Sequence, residues 1–130
     1  VVKQSAQFQL FNYIFKHVNA LGVPVITMRD FHDNIPYPFV MIQSLTDEEH
    51  KSTFDSYTGR PSATLHIWGL DDDRGAHDAL YMQVHNILQD DIALDGYTLF
   101  NAQITSNQSD DDTTEQILIH TTVTVEYDAH

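Results

Sequence analysis

The sequence predicts an α+β fold of two layers, with a mainly antiparallel sheet of about five strands and two helices packed on one of its faces. Three observations predict it. Two segments, near residues 8–21 and 74–88, carry apolar residues at helical spacing. Several others alternate or are β-branched. Consecutive strand segments are joined by short polar stretches, which favours antiparallel neighbours, and two one-sided helices must then cover one sheet face.

The first helix rests on Leu10, Phe11, Ile14, Phe15, Val18 and Leu21, one apolar stripe with Gln7, Asn12, Lys16 and Asn19 elsewhere. Ser5 is placed to cap its start. Gly22 stands where a C-terminal glycine belongs, and Pro24 follows. Residues 25–28 read as a short strand and residues 29–38 as loop, rich in Asp, Asn and Pro. Residues 39–45 form a second strand, with Pro38 at its entry. Residues 46–61 are polar with few large apolar groups and read either as a long hairpin with a mobile tip or as a functional loop.

Residues 62–68 alternate: Ala63, Leu65 and Ile67 face one way and Ser62, Thr64, His66 and Trp68 the other. Gly69 ends that strand. Asp71, Asp72 and Asp73 then suit the positive end of a second helix, whose apolar face is Ala76, Ala79, Leu80, Val84, Ile87 and Leu88. Residues 90–95 lead to a turn at Gly96 and Tyr97. The last two strands are residues 97–106 and 116–127, joined by a polar hairpin loop at 107–115. In the final strand Ile117, Ile119, Thr121, Val123, Val125 and Tyr127 share a face.

Composition narrows the function. With 130 residues and 42% hydrophobic residues, the expectation is one folded domain spanning residues 1–130. Six basic residues against nineteen acidic ones give a net charge of −13, and the chain stays negative with all eight histidines protonated. That argues against charge-driven binding to nucleic acid or anionic membrane. Cysteine is absent, so disulfides, thiolate catalysis and cysteine metal sites are excluded. Residues 8–21 are too polar for a signal-peptide core and too few to span a bilayer.

No phosphate-binding glycine loop, nucleophile elbow or zinc-protease motif is present. His77 and His85 lie eight residues apart on the second helix, about 12 Å at 1.5 Å per residue, too far to share one ion. His66 and His120 meet only if their strands are neighbours. The acidic runs 71–73, 90–91 and 110–112 lack the alternating ligands and terminal Glu of a calcium loop. The expectation is therefore no enzyme, no cofactor and no stoichiometric metal. Trp68, on the face opposite the small aliphatics, is expected to be exposed at an interface or packed under a neighbouring loop or helix edge.

The ordered segments LGVPV (21–25), PYPFVMIQS (36–44), the polar stretch with Lys51, ATLHIWG (63–69), RGAHDALYMQVHNIL (74–88), LDGYTLFNAQI (94–104) and the closing TVEYD (124–128) resemble the tail-completion, or tail terminator, proteins of long-tailed bacteriophages. The resemblance covers nearly the whole chain. It implies a virion structural protein without catalysis: a six-fold homo-oligomeric ring that caps the tail tube protein and docks on the head-completion (connector or stopper) protein. DNA passes through its lumen without specific binding. It also implies a location at the tail-to-head junction, after synthesis in the bacterial cytoplasm, with no membrane partner. The candidate interface residues are Tyr37, Phe39, Lys51, Phe54, Tyr57 and Trp68. The competing expectation is an acidic regulatory or DNA-mimic protein that binds a basic host partner. It is disfavoured because the carboxylates clump in loops rather than recurring at phosphate-like spacing.

Overall fold

A computed structural model describes residues 4–27, 35–51, 57–112 and 117–130. The order is α1 (Ala6–Asn19), β1 (Val25–Thr27), β2 (Phe39–Lys51), β3 (Tyr57–Leu70), a 3-10 turn (Asp71–Asp73), α2 (Arg74–Gln89), β4 (Ile92–Leu94), β5 (Tyr97–Asp111) and β6 (Leu118–Ala129). The six strands form one curled sheet in the order β1-β2-β3-β6-β5-β4. Every pairing is antiparallel except β1 with β2. The α+β, two-layer reading holds, with six strands in place of about five.

Each helix is set by its ends and its stripe. The Ser5 hydroxyl accepts from the Phe8 amide at 3.2 Å, capping α1. Gly22 takes a φ of +88°, the left-handed turn that stops α1. The buried stripe is narrower than the spacing predicts: Ala6, Leu10, Ile14 and Val18 are buried, whereas Phe15 is 37% exposed. On α2, the Asp73 carboxylate accepts from the Ala76 amide at 3.3 Å. The buried face there is His77, Leu80, Val84 and Leu88; Ala76 and Ala79 are exposed. The two helices pack on Val40, Ile42, Ala63, Leu65, Ile67, Val123, Val125 and Tyr127, the inward residues of β2, β3 and β6. Tyr127 donates its hydroxyl to the Leu88 carbonyl at 2.6 Å, tying β6 to the end of α2.

Four sequence expectations are corrected. The second strand does not end at residue 45: β2 runs on through the stretch 46–51 to Lys51, which pairs with Tyr57 at the start of β3. Of the two readings offered, the long hairpin is the one observed; its residues 52–56 lie outside the described residues. The polar loop expected at 107–115 is in large part strand, since β5 continues to Asp111 opposite Leu118. Residues 105–110 of β5 are exposed on both sides, so no apolar alternation marks them as strand. The third correction is β4, three residues hidden in what reads as a connection. The fourth is Ile117, which precedes β6 and is 48% exposed rather than on its core face.

Candidate functional site

The helices cover one sheet face and leave the other uncovered by either. Phe39 and Met41 of β2 stand opposite Trp68 and His66 of β3, and these stand opposite His120 and Thr122 of β6. Alternation puts all six on the helix-free face.

At its β2 side this face is apolar. Ile35, Phe39 and Met41 are buried together, with Ile26 and Trp68 packed against them. The exposed Tyr37 ring lies 5.4 Å from that of Phe39. Trp68 is half-buried rather than exposed, and it packs against the cluster that includes Ile35 of the segment leading into β2. It stacks on the His120 imidazole at 4.0 Å between centroids and 3° between planes.

Beyond Trp68 the face turns polar. The strands of His66 and His120 are neighbours, the condition for the two to meet. His66 Nδ1 and His120 Nε2 are 2.5 Å apart. The Thr122 hydroxyl lies 3.5 Å from the first nitrogen and 3.4 Å from the second. His66 Nε2 contacts Gln43 Oε1. A β-bulge between Ile42 and Ser44 makes Gln43 the extra residue of β2. An amide oxygen only accepts. His66 therefore carries its proton on Nε2, and its bare Nδ1 accepts from His120 Nε2–H. Burial lowers the proton affinity of both imidazoles. For His120, His66 and His77 lower it further while Asp111 opposes them.

Of the predicted interface residues, the structure brings Tyr37, Phe39 and Trp68 together. Lys51 and Tyr57 are cross-strand partners at the far end of the β2–β3 hairpin, about 40 Å along the strand from Phe39 at ~3.3 Å per residue. Phe54 lies outside the described residues. The sequence reading missed the histidine pair as a unit, and it missed Gln43; the pair was visible as a conditional meeting of two strands, but a bulge leaves no mark in residue spacing.

On the helix face, His77 and Thr121 are both buried. His77 Nε2 is 2.7 Å from the Thr121 hydroxyl, and its Nδ1 is buried with no hydrogen-bond partner among the described residues. Burial lowers its proton affinity, Asp78 raises it and Arg74 lowers it. At the start of α2, Arg74 bonds Asp71 and lies 3.7 Å from Asp110, so part of two acidic runs is neutralised locally. Among the described residues no group of three or more His, Asp or Glu converges as a metal site. No helix among them is long and apolar enough to cross a membrane.

The sequence matches no protein-family model and no curated protein. A solved structure described as the virion of a native gene transfer agent particle is similar in fold: the TM-score is 0.61 over 95% of each chain, at 11% sequence identity.

Proposed function

We propose that this chain is a structural, non-enzymatic protein of a phage-like particle, acting as a single domain that forms a ring at the end of the tail tube and joins it to the head. The observation that carries this reading is the similarity in fold, across 95% of both chains, to a protein of a gene transfer agent virion. Three features of the chain fit it. The helix-free face presents the exposed Tyr37 and the half-buried Trp68, with the buried Phe39 beneath them as support, and aromatic residues of this kind mark protein interfaces. Past Leu99, β5 has no strand on its outer side among the described residues, and residues 100 and 105–110 are exposed. Such an edge can add a strand from a second copy or a neighbouring virion protein. The net charge of −13 suits a lumen through which DNA moves without adhering.

In this reading the Tyr37–Phe39–Trp68 patch and the far hairpin end with Lys51 and Tyr57 serve different contacts, because they lie too far apart for one small partner surface. The tail tube and the head-completion protein are the two partners, and the ring is six-fold. Antibody labelling of particles, imaged by electron microscopy, tests the assignment. Label at one end of the tail, together with loss of head-tail joining when the gene is deleted, is the expected result. Particles that carry no label and join normally without the gene overturn it.

A further inference from the structure

We propose that Gln43, His66 and His120, closed under Trp68, form a proton-operated latch on the helix-free face: it stays shut with no proton or one added and opens with the second.

The geometry sets the count. In the neutral state the chain of donors runs one way, from His120 Nε2–H to His66 Nδ1 and from His66 Nε2–H to Gln43 Oε1. The first added proton goes to His120 Nδ1. This leaves both hydrogen bonds in place, and it puts the cation flat against the indole of Trp68 at 4.0 Å, where the ring's π face favours it. Asp111 of β5 also favours charge on His120. The second proton has one place to go, His66 Nδ1. That nitrogen is already 2.5 Å from His120 Nε2. Two N–H donors and two positive charges would then face each other with no acceptor between them. Thr122, at 3.4 and 3.5 Å, can accept from one but not hold both. The two imidazoles must part, and movement of His120 away from His66 breaks its stack on Trp68.

Asp111 on β5 favours the first proton on His120, His77 on α2 acts through β6 against charge there, and Gln43 on β2 and Thr122 on β6 are neutral. None supplies an anion to His66. The second proton is thus disfavoured by the first, and the two affinities differ by more than about tenfold. Opening uncovers Trp68 and the flank of the Ile35–Phe39–Met41 cluster. The latch is a property of the single chain and holds whether or not the assembly reading is right.

The chain has one tryptophan, so its emission reports the latch directly. The experiment is a titration of the full chain from pH 8 to 4.5, following tryptophan emission, imidazole NMR shifts and far-UV circular dichroism. As pH falls, emission should first dim, because a stacked imidazolium quenches indole. It should then shift to longer wavelength as Trp68 is released, while the dichroism stays constant. The two imidazoles should titrate in steps at least one pH unit apart. His66→Gln should keep the dimming and lose the later shift; His120→Gln should lose both. The wild-type titration decides the matter alone if either variant fails to fold. The latch is refuted by imidazoles that titrate independently, by emission without the two phases, or by a dichroism change coincident with the emission change.

Discussion

Gly69→Ala tests the packing that joins the two layers. A Cβ at Gly69 would sit 2.6 Å from His77 Nδ1 and 3.4 Å from His77 Cβ and Cγ. The imidazole has little room to yield, since it is 2% exposed and its other nitrogen is 2.7 Å from the Thr121 hydroxyl. Relief comes by shifting α2 outward or by turning the ring off Thr121. The first is overpacking, about 1–3 kcal/mol; the second forfeits a buried hydrogen bond, about 1 kcal/mol. Against these stands the smaller gain of about 0.4–1 kcal/mol from replacing a glycine in the unfolded chain. The net is a loss of about 1–2 kcal/mol. For a chain of 130 residues that lowers Tm by about 3–6 °C per kcal/mol. Urea unfolding followed by circular dichroism measures it as a lower midpoint with an unchanged slope. In a His77→Ala background the same substitution should be neutral or slightly stabilising, because the opposing ring is gone. A Gly69→Ala penalty that persists without the imidazole, or one that never appears, refutes the reasoning.

Tyr127→Phe removes the donor to the Leu88 carbonyl, a 2.6 Å bond in the core, and should cost about 1–2 kcal/mol in the same urea assay; the phenol itself is held neutral well above its usual range by burial, then by Tyr13 and Asp90. Stability should fall with acid. Burial lowers the proton affinity of His66, His77 and His120 in the folded chain, so the unfolded chain binds protons first once pH drops below about 6.5. Urea midpoints should be level from pH 8 to 7 and decline below 6.5; a midpoint that rises toward pH 5.5 contradicts this. Self-association should strengthen between low and moderate salt, because copies that each carry −13 repel over a range that salt shortens; sedimentation velocity across a salt series reads it, and tightest association at the lowest salt counts against it. A chelator should leave Tm unchanged, as among the described residues no group of three or more His, Asp or Glu converges as a metal site.

What the sequence revealed of the fold follows from where burial is one-sided. Leu10, Ile14 and Val18, and Leu80, Val84 and Leu88, repeat at helical spacing because each helix has a single buried stripe. Ala63, Leu65 and Ile67 alternate because β3 is central, with β2 and β6 beside it and helices on one face only. The signal fails toward the sheet margin. Residues 105–110 make ladder bonds to β6 through their backbone while their side chains meet water. Backbone pairing has no sequence preference strong enough to show through polar side chains, so such a strand reads as loop. His77 is hidden for the opposite reason. A histidine on a helix reads as surface, and only the small Gly69 opposite it makes the room that buries it.

The candidate site was legible as residues and not as an arrangement. Phe39 and Trp68 stood out as large aromatics at strand positions, and register then sets them side by side. Lys51 and Tyr57 join the candidate interface only through the family resemblance, which points to the 46–61 stretch as a whole, and the extended hairpin sets them far from Phe39 and Trp68. The histidine pair inverts this. His66 and His120 are far apart in sequence and become neighbours through β3 meeting β6, a pairing that crosses α2, β4 and β5. Their contact then depends on a third strand, since the bulge that delivers Gln43 fixes which nitrogen of His66 is free to accept. The polar half of the helix-free face is thus specified by register between three strands, whereas its apolar half needs only aromatic residues near one sheet end. A one-residue slip between β3 and β6 would turn His120 to the opposite face, breaking both its stack on Trp68 and its bond to His66. The polar half is therefore the part most sensitive to strand register, and it is the part where added protons act.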